Sequence, residues 1–332
     1  MTRLKYPFYA AFCINSYCNA RCRHCSSAAA MGRSDDLNTE QILNIIIQLG
    51  ELGIFQIGIS GGEPLLHPDI EQIIKKCILH GICVGIGSNG LIIDKEYASK
   101  LKEWGVNHVQ ISLDGSNHKT HDSFRGVDGL FDKALNAISL LKKVDMKVNV
   151  CMTPTKLNYK ELPNVIQICN ELNVDAFNLS QFVPVGRGTT EIDLPPEVWK
   201  DILELWDYNR RRLSGKMQFI THEAQQILID SSLYGRRLFN GCQAGNGVCC
   251  IKSNGDVIPC VMLDIPIGNL KEKSFSQIWE NSSILTNINN RDLYSEPCKT
   301  CDYVEKCGGC RGVAYGVTGN YLEKDTHCWL HI

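Results

Sequence analysis

Cys18-Asn19-Ala20-Arg21-Cys22-Arg23-His24-Cys25 is a Cys-x3-Cys-x2-Cys triplet, placed just after an apolar run over 8–14 that reads as a strand. Three thiolates in one short loop can hold three irons of a cubane cluster and leave the fourth iron without a protein ligand. An iron so exposed is a reaction site. The competing reading is structural zinc, which Cys-rich loops also suit. Zinc wants a fourth Cys or His close by, and His24, wedged between two of the cysteines, is badly placed to supply it.

Downstream of the triplet, short β-branched runs near 54–60, 82–87, 108–113, 147–152 and 175–180 alternate with helix-period segments near 39–52, 68–80, 94–104, 130–143, 161–172 and 196–212. Counted with 8–14, this is six strand and helix units, which predicts an α/β fold with parallel strands, a partial (β/α)6 TIM-like barrel. Asn38-Thr39-Glu40, Pro68-Asp69 and Leu162-Pro163 supply capping and first-turn residues at helix starts. Reacting groups of parallel barrels gather where strands end, so the triplet falls on that rim.

The next rim loops carry further polar and glycine-rich stretches. Ser60-Gly61-Gly62-Glu63-Pro64 follows the second strand and Ser88-Asn89-Gly90 the third; Ser112-Leu113-Asp114-Gly115 ends the fourth, with Arg125-Gly126 shortly after. Glycines let backbone approach a ligand, and a carboxylate beside them can accept from an ammonium group. Singly, each has a plain reading: Gly-Gly and Asn-Gly are turn dipeptides, Glu63 could cap a helix, and Arg125 could be a surface cation. In this order, at successive strand ends, they resemble the radical S-adenosylmethionine (SAM) superfamily. The resemblance implies that the amino and carboxylate groups of SAM chelate the open iron of the Cys18, Cys22, Cys25 cluster, and that electron transfer yields a 5'-deoxyadenosyl radical. It also implies that Gly61, Gly62 and Glu63 hold the SAM amino group, that Ser112 and Arg125 hold its carboxylate, and that Ser88, Asn89 and Asp114 complete the pocket. Phe182-Val183-Pro184-Val185-Gly186-Arg187-Gly188 resembles the family segment that leaves the barrel near the adenine, with a plain Pro/Gly loop as the alternative.

Strand parity adds a prediction about the barrel interior. If Ser112 faces inward, so does Gln110, and Gln56 with Ser60, Asn149 with Cys151, and Asn178 with Ser180 show the same alternation. An interior of amides and hydroxyls suits SAM and a polar substrate.

Composition excludes several classes of function. The chain has 332 residues, 44% hydrophobic, with a net charge of -2, so it can fill a core but offers no basic footprint for nucleic acid or an anionic membrane. No apolar stretch approaches the roughly 20 residues of a membrane span, and the amino-terminal end lacks a signal-peptide pattern; the cytoplasm is the expected compartment. There, seventeen cysteines point to metal rather than to disulfides.

Beyond about residue 240 the chain turns to cysteine, glycine and short loops: Cys242, the adjacent Cys249 and Cys250, Cys260, Cys298-x2-Cys301-x5-Cys307-x2-Cys310, and Cys328. A small module without a large core often uses metal as its staple. The array resembles the SPASM extension of radical SAM enzymes, which binds two auxiliary 4Fe-4S clusters. The resemblance assigns Cys298, Cys301, Cys307 and Cys328 to an outer cluster. Cys242, Cys249 or Cys250 (Cys249 favoured), Cys260 and Cys310 fall to an inner one, which makes three clusters in all. Two structural zinc sites are the alternative for the tail. The expected division is a barrel over 1–215, a linker over 216–240 and the auxiliary module over 241–332.

Relatives with this extension mostly modify ribosomally made peptides by crosslinking, oxidation or epimerisation; others act on aminoglycosides or porphyrin propionates. The resemblance therefore implies a peptide substrate, with a small molecule as the alternative, and an electron donor such as flavodoxin or ferredoxin. Gly255 to Cys260 reads as a hairpin turn that delivers a cysteine; the sulfatase-maturing subclass places an Asp directly after that cysteine, where this chain has Val261, although Asp264 is near. The first strand begins by about residue 8, so a peptide is expected to be recognised by the barrel mouth, the tail or a separate protein. Cys151, inward beside Asn149, is the candidate hydrogen-atom donor, against the plainer reading of a packed core thiol. A non-catalytic Cys-rich metal scaffold is the alternative of a different class.

Overall fold

A computed structural model describes residues 4–30, 32, 34–235 and 241–330. Seven parallel strands form the barrel wall: β1 (Tyr9–Cys13), β2 (Gln56–Ser60), β3 (Cys83–Ser88), β4 (His108–Ser112), β5 (Val148–Met152), β6 (Ala176–Leu179) and β7 (Gln218–Thr221). They pair in chain order without closing, the open barrel predicted from the alternation. The six predicted strands all form. The seventh lies within 216–240, read above as linker; it has four residues and an exposed Gln218, too little apolar alternation to announce itself.

Crossover helices α1 (Thr39–Glu51), α2 (Ile70–Leu79) and α3 (Lys95–Glu103) cover the outer face, followed by α4 (His118–Arg125), α5 (Leu130–Lys143), α6 (Leu162–Glu171) and α7 (Pro196–Arg212). In α1, Asn38 and Gln41 close a capping box, and Ile42, Ile45, Ile46 and Leu49 bury one face at helical spacing. Burial of each such side chain contributes about 1.5–3 kcal/mol. Helix α4 was not predicted, because its sequence holds a single large apolar residue, Phe124. Asn117 caps its start, and Gly126, at φ 68°, ends it in the left-handed conformation.

After the short α8 (Gln226–Ile229), the chain returns to the sheet. Strand β8 (Val248–Ile251) lies parallel to β1 on its free edge, and β9 (Asp256–Ile258) and β10 (Gly268–Asn269) add antiparallel strands beyond it. The cysteine-rich tail therefore shares one ten-stranded sheet with the barrel. The hairpin read from Gly255 to Cys260 is the β8 and β9 pair. Helices α9 (Phe275–Asn281), α10 (Ser283–Asn289) and α11 (Arg311–Thr318) complete the tail. The outer core gathers Ile and Leu from the helices with Phe12, Ile57, Val84, Val109, Val150 and Phe177 from the strands. Their alternate neighbours face the lumen. Among the described residues no helix is long and apolar enough to cross a membrane.

Candidate active site

The triplet loop leaves β1 at the carboxyl-terminal rim and is held from three sides. On one side, Arg21 and Arg23 donate backbone N–H bonds to the carbonyls of Arg125 and Phe124, each at 3.0 Å. Gly126 fits against this contact: a Cβ there would lie 3.0 Å from the Arg21 carbonyl oxygen. On the second, the Glu63 N–H donates to the Tyr17 carbonyl at 2.8 Å. A Cβ on Gly62 would stand 1.9 Å from that oxygen, so only glycine allows the approach. On the third, Arg187 donates through Nε to the Cys22 carbonyl at 2.9 Å and through Nη1 to the Ala29 carbonyl at 2.6 Å. Its own N–H reaches the Cys25 carbonyl at 3.0 Å, and Gly186, at φ 64°, leaves no room for a Cβ against Ser26. The segment 182–188 thus buttresses the triplet loop, a role its Pro/Gly character did not disclose.

Asp114 is fully buried and organises the charges behind the loop. Arg125 donates to it through Nε at 2.6 Å and Nη2 at 2.5 Å, and the Thr153 N–H reaches its other oxygen at 2.8 Å. Burial alone would raise the Asp114 carboxyl, but Arg125, then His24 and the Thr153 N–H, outweigh it and hold it below the usual range. Desolvation works against the Arg125 charge as well, yet Asp114 and Cys22 keep it firmly protonated. The remaining Arg125 nitrogen, Nη1, points at Cys22 Sγ from 3.6 Å, and the Ala20 N–H donates to Cys18 Sγ at 3.4 Å. A cation and an N–H aimed at sulfur are what a thiolate needs. His24 stacks on Phe124 at 4.6 Å, and burial lowers its imidazole to about 4, so it is neutral. Sequence reading weighed His24 only as a zinc ligand and missed this packing role.

Glu63 lies at the neighbouring loop with 1% exposure. Its Oε2 accepts from the Asn89 N–H at 2.9 Å and its Oε1 from the Leu65 N–H at 3.3 Å, while Ser88 Oγ accepts from Gly90 N–H at 3.0 Å. These bonds bring Glu63, Ser88 and Asn89 together at adjoining strand ends. Desolvation raises the Glu63 carboxyl to about 7. In the role that the resemblance implies, accepting from the SAM ammonium, this carboxylate would be competent only above that value. Apparent SAM affinity is therefore expected to rise about tenfold between pH 6 and pH 8, a dependence that Glu63→Gln should abolish; calorimetric titration at three pH values checks it.

On the lumen side, Ser112, Cys151 and Asn178 lie side by side on β4, β5 and β6. Burial pushes the Cys151 thiol up to about 12, so it is present as S–H. Strand positions facing the lumen are Tyr9, Ala11, Cys13, Gln56, Gly58, Ser60, Cys83, Gly85, Gly87, His108, Gln110, Ser112, Asn149, Cys151, Ala176, Asn178, Gln218, Ile220, Val248 and Cys250. None is Lys, Arg, Asp or Glu, and burial lowers the His108 imidazole toward neutrality. Among these strand positions the lumen wall is uncharged.

In the tail, Cys298, Cys301, Cys307 and Cys328 line one cleft with Gly308 and Gly309. The Gly309 N–H donates to Cys307 Sγ at 3.4 Å. Burial pushes Cys307 up to about 12 and Cys328 to about 11, and each feels Cys298 electrostatically. Cys307 is buried and the other three are part-exposed; a strongly charged metal centre bound in their shared cleft would deprotonate them. Cys242 and Cys260 pack against the same cluster of Ala244, Leu263 and Ile288, and Cys242 acts electrostatically on both Cys260 and Cys310. The adjacent pair divides: Cys249 sits in the outer core, whereas Cys250 faces the lumen in contact with Cys13. Asp264 is paired with Lys252 at 2.7 Å.

The signature of the Radical SAM superfamily matches residues 13–169, and that of the SPASM iron-sulfur cluster-binding domain matches residues 242–302. The AdoMet-dependent heme synthase of Methanosarcina barkeri is 31% identical over 97% of this chain and 96% of its own length. PqqA peptide cyclase of Bradyrhizobium diazoefficiens is 26% identical over 96% of this chain and 84% of its own. The crystal structure of Streptococcus suis SuiB bound to precursor peptide SuiA superposes with a TM-score of 0.82 at 20% identity, over 98% of this chain and 77% of that one. Family membership brings SAM and 4Fe-4S clusters as cofactors. The chain is a radical SAM enzyme with a SPASM iron-sulfur extension.

Proposed function

We propose that this enzyme modifies a ribosomally made peptide by hydrogen-atom abstraction, introducing a crosslink, an oxidation or an epimerised centre. The observation that carries this reading is the uncharged lumen wall. A buried anionic group needs a paired cation, and none stands on the wall strands; a peptide residue presents neutral amides there. Cys18, Cys22 and Cys25 would hold a cluster, which when bound would supply the electron for SAM cleavage. Gly61, Gly62 and Glu63 hold the SAM amino group, Ser88 and Asn89 brace Glu63, and Ser112 and Arg125 take its carboxylate. Asp114 fixes Arg125, and Arg187 fixes the cysteine loop. Cys151, protonated and lumen-facing, is placed to return a hydrogen atom.

The tail carries two further clusters in this reading, the outer on Cys298, Cys301, Cys307 and Cys328, the inner on Cys242, Cys249, Cys260 and Cys310. Cys249 is preferred over Cys250 because the Cys250 sulfur is engaged by Cys13. Reducing power comes from a flavodoxin or ferredoxin, and the enzyme works in the cytoplasm.

The second reading, reaction at a porphyrin, is favoured by the full-length similarity to the heme synthase. Anaerobic enzyme given SAM, dithionite and a peptide encoded beside its gene decides between them. Loss of hydrogens from the peptide, or uptake of one deuterium from D2O where a centre is epimerised, supports the proposal; a peptide unchanged by both measures together with carbon dioxide loss from a propionate-bearing porphyrin overturns it.

A further inference from the structure

Above the barrel floor, two amide side chains meet across β5. Gln110 stands on β4 opposite Gly87 on β3, and Asn178 stands on β6 opposite Cys151 on β5. Their strand neighbours Val109, Ile111, Phe177 and Leu179 are buried in the outer core, so both amides belong to the lumen face. Asn178 Nδ2 donates to Gln110 Oε1 at 3.0 Å. Asn178 Oδ1 is buried and has no hydrogen-bond partner, an arrangement that folded proteins avoid unless another group completes it.

The lumen is filled below this level and open at it. A Cβ on Gly58 would lie 2.0 Å from the Tyr9 hydroxyl, and one on Gly85 would lie 2.5 Å from the His108 ring, so these two side chains close the floor. A Cβ on Gly87, level with Gln110, would meet nothing within 4 Å. Two primary amides joined by one bond leave a carbonyl on one and an N–H on the other. If both amides are turned over, the bond reverses and the two free groups exchange owners, so a donor and an acceptor are offered in either assignment.

We propose that Gln110 and Asn178 form a docking subsite for the N–H and carbonyl of one substrate residue, which sets that residue beside Cys151. This rests on the peptide reading above. The N–H of the residue satisfies one of the pair and its carbonyl the other, fixing which face of the residue's α-carbon turns to the radical source and which to the thiol.

The test compares N-acetyl-L-alanine methylamide with O-acetyl-L-lactic acid methylamide, an ester of the same shape in which oxygen replaces the residue's own N–H, by saturation-transfer NMR on the anaerobic holoenzyme with SAM. The amide is expected to bind about tenfold more tightly than the ester, and Gln110→Leu and Asn178→Leu, each checked for full iron content, are expected to erase that preference. Equal binding of the two probes to the wild-type enzyme overturns the subsite, and needs no variant to fold. So does a preference that survives in Gln110→Leu. The two proposals fail separately: an amide preference that depends on Gln110, in an enzyme that modifies no peptide, upholds the subsite and sinks the peptide reading, whereas a peptide modified with unchanged KM by Gln110→Leu does the reverse.

Discussion

Asp114→Ala is expected to destabilise the barrel by about 3–5 kcal/mol, because it leaves the Arg125 guanidinium buried with its carboxylate partner gone. The loss should be largest at neutral pH. The Asp114 carboxyl is held below its usual range in the folded protein, so its contribution is present above about pH 4 and fades as the pH falls further. Denaturant unfolding of wild type and variant at pH 7 and at about pH 2 measures both effects, with the difference between the two proteins shrinking at the lower pH. Function should suffer as well. Without Asp114 the Arg125 end of α4, whose last carbonyls hold Arg21 and Arg23 of the cysteine loop, loses its ion-pair anchor, and iron retention at that loop is expected to fall. Asp114→Asn keeps an acceptor but leaves the guanidinium charge unpaired, so it should recover only part of the loss.

Cysteine variants should separate the three proposed clusters by where the iron goes and what activity goes with it. Cys22→Ala is expected to lower iron by about four per chain and to abolish 5'-deoxyadenosine formation, since it removes a thiolate of the loop that exposes the open iron. Cys307→Ala should lose a similar amount of iron while leaving SAM cleavage measurable, because its sulfur lies with Cys298, Cys301 and Cys328 in the tail cleft. Cys249→Ser should behave as Cys307→Ala does, and Cys250→Ser should keep its iron. Iron assay with electron paramagnetic resonance of the reduced proteins checks each. Loss of iron from Cys250→Ser with retention by Cys249→Ser would transfer the ligand role to Cys250.

The predicted barrel strands were legible because each alternates an outward aliphatic with an inward small or polar residue, as in Val109-Gln110-Ile111-Ser112. The site motifs were legible because glycine is sterically required where Gly62 passes Tyr17 and where Gly126 ends α4. What stayed hidden lacks local signal. Strand β7 is too short and too exposed at Gln218; α4 is stabilised by its cap and by contacts with the cysteine loop rather than by an apolar face. Arg187 contacts residues more than 150 positions away, and no spacing rule relates such distant partners. The joining of β8 to β1 is likewise a long-range pairing. A tail that reads as a separate module by composition in fact continues the barrel sheet.

The central claim is that the loop from Cys18 to Cys25 carries a cluster with one iron left open to SAM. Anaerobically reconstituted enzyme, supplied with dithionite and SAM, should release 5'-deoxyadenosine, and a Cys18, Cys22, Cys25 triple alanine variant should release none. Reconstituted wild-type protein that carries its full iron yet forms no 5'-deoxyadenosine, with peptide and porphyrin substrates both present, would contradict the account.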